Sequence, residues 1–208
     1  KINSYFKSAT PNKVIDKLVG IRQKGFSSCK ILQNNLVNIF QTIRHVNDAE
    51  IDAALCCVDF RKAFDSLSHE YIIKVFEFFN FGPSFIKLIK TIITGKQGRI
   101  NVGGVFSPLF DFLAGNGQGD NSSPLIFNLS IEILLIKLIN SDLINQELLI
   151  KECHSHRLRL TESEAYADDE NLLVTPNRDN LTKLRIIFND FKRLSGLEIN
   201  ENKTQLFR

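Results

Sequence analysis

The 208-residue sequence has no methionine, no tryptophan and no long apolar run. Its apolar stretches, such as Ile133–Ile136 between Glu132 and Lys137, are short, whereas a bilayer-spanning helix needs about 20 apolar residues. The sequence therefore predicts a soluble chain with no membrane partner. Because an initiator methionine is missing and the polar first residues resemble no targeting peptide, we expect a segment of a longer polypeptide.

Cysteine is limited to four residues, Cys29, Cys56, Cys57 and Cys153. None of them shows C-x-x-C spacing, and the adjacent pair lies in an apolar run, which predicts reduced, buried thiols in an intracellular protein. Cys153 could join His154 and His156 in a metal cluster, but a polar loop is the favoured interpretation.

The composition, 43% hydrophobic and 24% charged, is that of an ordinary globular protein and excludes disordered and collagen-like chains. The net charge of +3 is unevenly distributed. Residues 1–58 carry eight Lys/Arg and four Asp/Glu, a charge of +4, whereas residues 59–208 carry eighteen and nineteen, a charge of −1. Positive potential for a polyanionic partner is therefore expected from the early segment.

Hydrophobic periodicity predicts alternating helices and strands. The predicted helices cover 28–47, 68–79, 84–94, 122–139 and 180–194. The predicted strands cover 51–58, 99–102, 109–113, 163–167 and 170–175, with a strand-like tail to Phe207. Gly103–Gly104 is expected to turn a hairpin between 99–102 and 109–113.

Three aspartates stand at strand ends. Asp59 follows a predicted buried strand, and Asp168 and Asp169 form the tip of a predicted hairpin. Adjacent carboxylates repel unless water or a cation neutralises them, and three together would supply the hard oxygen ligands that Mg²⁺ prefers. Taken alone, an Asp-Asp pair is more often just a turn.

The order of several motifs resembles that of reverse transcriptases, most closely those of non-LTR (LINE-type) retrotransposons. The stretches that carry the resemblance are VDFRKAFDSLSHEY at 58–71, GQGDNSSPLIFNLSIEIL at 117–134, AYADDENLLV at 165–174 and LSGLEINENKTQLF at 194–207. A looser similarity to the family's finger segment lies at 21–35.

The resemblance implies an α+β fold with a ferredoxin-like palm, in which a small antiparallel sheet packs on helices. Residues 1–50 would be a partial fingers segment and residues 51–208 the palm, with fingers-side helices and a hairpin at about 83–113. Thumb and endonuclease regions would belong to other parts of the longer polypeptide, so the isolated segment is expected to hold primer–template weakly and to be poorly active. Its expected locations are a cytoplasmic ribonucleoprotein and, at integration, the nucleus.

The resemblance also implies a site for two Mg²⁺ ions, for which Mn²⁺ could substitute. Their ligands would be Asp59, Asp168 and Asp169, with the Phe60 carbonyl as an extra ligand. One ion would lower the pKa of the primer 3′-hydroxyl, and the other would bind the triphosphate and the leaving pyrophosphate. Lys203 matches a lysine offered to the pyrophosphate as general acid or electrostatic stabiliser, although a solvated lysine is an equal alternative.

Substrate contacts follow from the same resemblance. Phe64 matches an aromatic gate that excludes a ribonucleotide 2′-hydroxyl, with a core phenylalanine as the even alternative. The backbone N–H groups of Lys62, Ala63 and Phe64 would face the triphosphate, because a strand-to-helix turn presents N–H groups to anions. Asp65 is expected to brace that turn.

Gln118 and Gly119 match the family's Gln-Gly contact with nucleotide and template. The sequence departs from the pattern beside them, since Gly117 replaces an arginine and Asn121 a proline. Tyr166 would pack near the primer end or in the core. No choice can be made among the finger cations Arg22, Lys24 and Lys30.

The leading hypothesis is an RNA-directed DNA polymerase that extends a DNA primer on an RNA template with deoxynucleoside triphosphates. The alternative is a decayed or domesticated module that binds RNA or protein without polymerising. An RNA-directed RNA polymerase is disfavoured by Phe64.

Overall fold

The computed structural model of the chain describes residues 18–19, 32–117, 120, 122–143, 163–166 and 169–208, without the side chains of residues 32–35, 163, 164 and 166. The predicted finger segment up to residue 31 and the Cys153–His156 loop lie outside these ranges. Within them, no helix combines the length and the apolar character needed to cross a membrane.

The described strands, in chain order, are β1 (Ala54–Val58), β2 (Phe60–Arg61), β3 (Gln97–Gly98), β4 (Asn101–Val102), β5 (Val105–Phe106), β6 (Phe110–Asp111), β7 (Ser163–Tyr166), β8 (Asp169–Val174), β9 (Glu198–Ile199) and β10 (Gln205–Phe207). The described helices are α1 (Leu32–Asp48), α2 (Ala63–Ser66), α3 (His69–Phe78), α4 (Pro83–Ile93), α5 (Ser123–Ile139) and α6 (Arg178–Ser195).

A four-stranded antiparallel sheet in the order β10-β1-β8-β7 forms the centre of the fold. Along the chain β1 is the first strand of this sheet, β7 the second, β8 the third and β10 the fourth, so their order across the sheet is fourth, first, third, second. Helices lie between the first and second strands and between the third and fourth strands. This is the split β-α-β-β-α-β arrangement, so the α+β, ferredoxin-like prediction is confirmed.

The helix boundaries follow local chemistry. The Ser68 hydroxyl accepts the Tyr71 N–H at the start of α3, and the Asn177 side chain accepts the Asn180 N–H at the start of α6. Pro83 begins α4, where a missing N–H costs nothing. Helix α5 is apolar on nearly every side and is buried along most of its length, as expected for a central helix.

The two faces of the β1–β8 pair are unlike. We call one the core face; it consists of Ala54, Cys56 and Val58 on β1 and Glu170, Leu172 and Val174 on β8. These residues are all buried, and the apolar ones belong to the main core with residues from α3, α4, α5 and α6. The core face therefore holds the sheet onto the helices.

We call the opposite side the open face; on β1 and β8 it consists of Leu55, Cys57, Asp169, Asn171 and Leu173. Val46 of α1 packs on Leu173 with Ile51 and Ala53 at one end of this face. The other end, where Asp169 lies, is more exposed.

The hairpin prediction between 99–102 and 109–113 was wrong in its pairing. Strand β4 pairs with β5 across Gly103–Gly104, and the outer strands β3 and β6 pair separately. Both glycines have positive φ, 58° and 88°, as a two-residue hairpin turn requires. This tight turn pairs β4 with β5, the strand that follows directly. Pro108, which has no N–H to donate, lies between β5 and β6.

Candidate active site at the end of the central sheet

Asp59 follows the last residue of β1 and is fixed there by its backbone. Its carbonyl accepts the Asn200 N–H at 2.8 Å, and its N–H donates to the Thr204 hydroxyl at 3.4 Å. Its side chain is 25% exposed, and the Oδ2 atom is buried with no hydrogen-bond partner among the described residues. A carboxylate oxygen in such a position is costly unless a cation approaches it.

Asp169 is brought beside Asp59 by strand register. Val58 pairs with Glu170 in the antiparallel sheet. Asp59 follows Val58 and Asp169 precedes Glu170, so the two aspartates lie opposite each other at the same end of the strand pair. Because side chains alternate along strands, both carboxylates belong to the open face, opposite to Val58 and Glu170. Asp169 is exposed, whereas Glu170 is 3% exposed.

Lys203 supplies a cation at this end of the sheet. Its Nζ atom lies 3.7 Å from Asp59 Oδ2, and its side chain is 68% exposed. The turn that carries it is closed by bonds from the N–H groups of Lys203 and Thr204 to the Asn200 carbonyl, at 3.0 and 2.9 Å. The ammonium group therefore reaches the carboxylate from the turn between β9 and β10.

The β2–α2 turn next to Asp59 divides its side chains between core and surface. The Phe60 ring packs on Phe188 and Phe191, with centroids 6.4 and 6.3 Å apart. Lys62 is exposed and has a left-handed backbone, φ 45° and ψ 47°, which is uncommon for a residue with a side chain. Phe64 is half-buried, and its ring stacks on Phe127 at 4.5 Å.

Residues 115–117 are docked onto α2 and the residues that follow it. The Gly115 N–H donates to the Leu67 carbonyl at 2.8 Å, and the Asn116 N–H donates to the Phe64 carbonyl at 2.7 Å. Gly115 has φ 92°, and a Cβ there would lie 2.8 Å from the Asp65 carbonyl oxygen, so only glycine fits. His69 Nε2 donates to the Gly115 carbonyl at 2.9 Å.

Comparison of the sequence with known protein families identifies the family of the chain that carries this arrangement of Asp59, Asp169 and Lys203. A family model described as reverse transcriptase (RNA-dependent DNA polymerase) matches residues 4–208. The chain belongs to the reverse transcriptase family. The resemblance inferred from the motifs is thereby confirmed.

The similar polypeptides come from retrotransposons. The domain is 29% identical over 182 residues to the retrovirus-related Pol polyprotein from the type-2 retrotransposable element R2DM of Drosophila melanogaster, covering 88% of this chain and 16% of that protein. It is 24% identical over 208 residues to the transposon TX1 uncharacterized 149 kDa protein of Xenopus laevis, covering 94% of this chain and 15% of that protein. The chain thus spans about one sixth of the length of these relatives, and it is a reverse transcriptase domain of the non-LTR type.

Solved structures share the fold. Telomerase from Candida albicans in complex with a fragment of telomeric RNA matches with a TM-score of 0.61 and 11% identity, covering 100% of this chain and 33% of that one. Apo telomerase from Candida tropicalis, truncated from its C-terminal domain, matches with a TM-score of 0.63 and 13% identity, covering 98% and 40%. At these identities the likeness concerns the fold alone.

The reverse transcriptase motifs are thus partly visible in the structure. Asp59, Asp169 and Lys203 share one end of the sheet, and Lys62, Ala63 and Phe64 form the adjoining turn. Asp168, Gln118, Gly119 and Asn121 lie outside the described residues, and Tyr166 is seen only as the backbone partner of Asp169. Among the described residues no group of three metal-ligating side chains occurs, and Asp168, the predicted third ligand, is not one of them.

The donors present suit a divalent cation. Asp59 contributes a buried carboxylate oxygen that no hydrogen bond from the described residues satisfies, and Asp169 contributes an exposed carboxylate on the same face. Hard oxygen ligands of this kind match Mg²⁺ or Mn²⁺. Lys203, at 3.7 Å, already offsets part of the charge of Asp59.

Two thiols report the electrostatics around these acids. Burial, together with smaller contributions from the neighbouring Cys57 and Glu170, raises the pKa of the Cys56 thiol to about 11. Burial also raises the pKa of Cys57, and Asp169 adds to that shift. The negative charge of Asp169 therefore acts on the Cys57 thiol, which lies on the same open face.

Sequence reasoning missed three contributors. Asn200 and Thr204 brace Asp59, and they could have been suspected only from their position beside Lys203 in the last motif. Lys96 approaches Gly117 from 21 residues earlier in the chain, and no local pattern in the sequence signals it.

Proposed function

We propose that the chain is the catalytic part of an RNA-directed DNA polymerase, which adds deoxynucleotides to a primer 3′-hydroxyl on an RNA template. The observation that carries the proposal is the buried, unsatisfied Oδ2 of Asp59 beside Lys203 and next to Asp169, in a chain of the reverse transcriptase family. The longer polypeptide would supply thumb and endonuclease regions and would act in a cytoplasmic ribonucleoprotein and in the nucleus.

Asp59, Asp168 and Asp169 would hold two Mg²⁺ ions, with the Phe60 carbonyl as an additional ligand. Such ions activate a hydroxyl nucleophile and neutralise charge on the transferring phosphoryl group. The protein contributes position: backbone hydrogen bonds from Asn200 and to Thr204 hold Asp59 in place. Charge repulsion between the acids makes an occupied site more stable than an empty one.

The residues around the acids would handle the nucleotide. Lys203 would stand by the leaving pyrophosphate as proton donor or fixed positive charge, since its side chain is 68% exposed beside Asp59. The β2–α2 turn would direct the N–H groups of Lys62, Ala63 and Phe64 towards the triphosphate. Gln118, Gly119 and Tyr166 would contact the template, the nucleotide and the primer end.

Primer extension on poly(rA)/oligo(dT) tests this function. Activity should appear with Mg²⁺ and fall by at least about a thousandfold in Asp168→Ala, because a metal ligand is lost. Asp190→Ala, which removes an exposed carboxylate that pairs with Arg193 at 3.6 Å, is the matched control and should keep wild-type activity. An Asp168→Ala variant with unchanged activity would disprove the metal assignment.

A non-catalytic binding module is the competing function, because Gly117 replaces the arginine that the family usually has. Isothermal titration separates the two. A catalytic domain should bind a deoxynucleoside triphosphate more tightly when Mg²⁺ is present, whereas a module without polymerase chemistry should show no metal-dependent binding.

Sugar selection by Phe64 distinguishes a DNA polymerase from an RNA polymerase. The side chain is partly exposed although its ring stacks on Phe127, so it can both pack and face a nucleotide. Phe64→Ala should raise the incorporation of ribonucleotides relative to deoxynucleotides by about tenfold to a hundredfold. If the ratio of ribonucleotide to deoxynucleotide incorporation is unchanged, Phe64 has a packing role only and is not a sugar gate.

A further inference from the structure

Lys96 and Asp120 form an ion pair across the loop that leads into α5. The distance from Lys96 Nζ to Asp120 Oδ2 is 2.6 Å, and the two side chains are 32% and 35% exposed. The Lys96 carbonyl accepts the Phe112 N–H at 2.9 Å, so the lysine backbone is anchored at the base of the β3–β6 pair. A cavity of about 460 Å³ lies alongside, lined by Lys96, Phe112 and Asn116 among others.

Gly117 makes room for this ion pair. A Cβ at position 117 would lie 2.8 Å from Lys96 Nζ and 3.1 Å from Asp120 Oδ2. Gly117 is not among the residues with positive φ, so its backbone would accept a side chain. An alanine at position 117 would therefore require the flexible end of the Lys96 side chain to shift.

The same loop is fixed by its backbone on both sides of Gln118 and Gly119. The Gly117 carbonyl accepts the Ser123 hydroxyl at 2.6 Å and the Asp120 N–H at 3.4 Å. The Ser123 N–H donates to the Asp120 carbonyl at 3.0 Å, and the Asn116 side chain donates to the Ser123 carbonyl at 2.6 Å. Gln118 and Gly119 are thus joined, through the chain, to two anchored residues.

We propose that Lys96, Gly117 and Asp120 form a positioning clamp that sets the Gln118–Gly119 segment for the template and the incoming nucleotide. The proposal rests on the proposed polymerase function. Lys96 acts through Asp120 and touches no substrate, so it is a positioning residue. It also supplies, from a distant part of the chain, a cation beside position 117.

Steady-state kinetics of the 208-residue chain test the clamp. Lys96→Ala should lower kcat/KM for the incoming deoxynucleotide about tenfold, because small displacements of substrate-aligning groups are costly in rate. The Kd for primer–template should stay within about twofold, and Lys96→Arg should restore most of the rate. Lys90→Ala, at an exposed lysine of α4, is the matched control and should change neither quantity.

A proportional loss of primer–template affinity in Lys96→Ala would overturn the proposal, because it would make Lys96 a direct phosphate contact. An unchanged kcat/KM in an active chain would overturn it as well.

The pairing with Gly117 gives a sharper test. Gly117→Ala should force the end of the Lys96 side chain to shift and should lower kcat/KM by no more than Lys96→Ala does. The double variant should be no worse than Lys96→Ala alone, since the clamp is already open. Losses that multiply would overturn the clamp.

Amine acetylation read by mass spectrometry separates this proposal from the polymerase function, because it needs no activity. If the wild-type chain extends no primer, the labelling rates alone decide the clamp. Lys96 should react more slowly than Lys90 in the wild-type chain and severalfold faster in Gly117→Ala and in Asp120→Asn. Equal rates that neither substitution changes would overturn the clamp.

Discussion

The core face and the open face of the β1–β8 pair use neighbouring residues for different purposes. On the core face Val58 and Leu172 are each 2% exposed and pack against helices. One residue further along each strand from the Val58–Glu170 pair, Asp59 and Asp169 belong to the open face. Side chains alternate between the two faces of a strand. The same short strand pair can therefore pack the sheet on the helices with one face and present two carboxylates on the other.

Because the two faces differ in this way, single substitutions in this sheet should affect the free energy of unfolding and the polymerase activity separately. Changes on the core face should lower the free energy of unfolding, whereas changes at the acidic end of the open face, at Asp59 and Asp169, should lower activity and leave unfolding nearly unaltered.

Asp59→Asn should have the largest effect. It removes the carboxylate charge but keeps the shape, so primer extension should fall by at least about a thousandfold through loss of metal binding. The urea midpoint should not decrease, because Oδ2 makes no hydrogen bond within the described residues. A variant that keeps more than a tenth of the wild-type rate would place the chemistry elsewhere.

Lys203→Ala should slow primer extension by about a hundredfold if the lysine protonates the leaving pyrophosphate. Lys203→Arg distinguishes the two proposed roles, since a guanidinium supplies positive charge but cannot give up its proton near neutral pH. A rate restored by arginine would support a purely electrostatic role, and a rate that matches Lys203→Ala would support proton donation. Wild-type activity in both variants would exclude Lys203 from the reaction.

Val58→Ala and Cys57→Ala compare the faces at adjacent positions. Val58→Ala should cost about 2 kcal/mol of unfolding free energy, because it leaves a cavity in the core. Cys57→Ala should cost less than about 0.5 kcal/mol, because the side chain is only half-buried on the open face. Urea denaturation measures both values, and equal losses would contradict the distinction between the faces.

The smallest effect should be seen in thiol alkylation. Asp169 contributes to the raised pKa of Cys57, so Asp169→Asn should lower that pKa, increase the thiolate fraction below it and speed alkylation at pH 8 about twofold. Cys56, with a pKa of about 11, should stay slow in both proteins. Peptide mapping by mass spectrometry reads each cysteine separately, and an unchanged Cys57 rate would mean that Asp169 does not act on this face.

Much of the fold could be predicted from the sequence, because its elements have strong local signals. The run at 51–58 was too short for a helix and became β1, and Ser68 caps α3 where the predicted helix begins. The pairing of β3 with β6 could not be predicted. It depends on how a two-residue glycine turn closes β4 on β5, whereas the apolar pattern indicated residues 109–113 as the partner of 99–102.

The site was predictable only where a motif names its residues. The acids at 59 and 169 stand out because charged residues at the ends of apolar strands need a reason. The bracing of Asp59 by Thr204 and the approach of Lys96 to Gly117 are contacts between distant segments, and no periodicity or spacing encodes them. Tertiary structure alone reveals these supports.

The hydrogen bond from Asp59 to Thr204 joins residues 145 positions apart, and this has a kinetic consequence. The central strand β1 finds its partners only in β8 and β10, so its pairings are non-local and must wait for late parts of the chain. On a ribosome, the N-terminal half would emerge with β1 unpaired and its apolar residues uncovered. Refolding should accordingly be slow, and the acidic end of the sheet should be among the last regions to assemble.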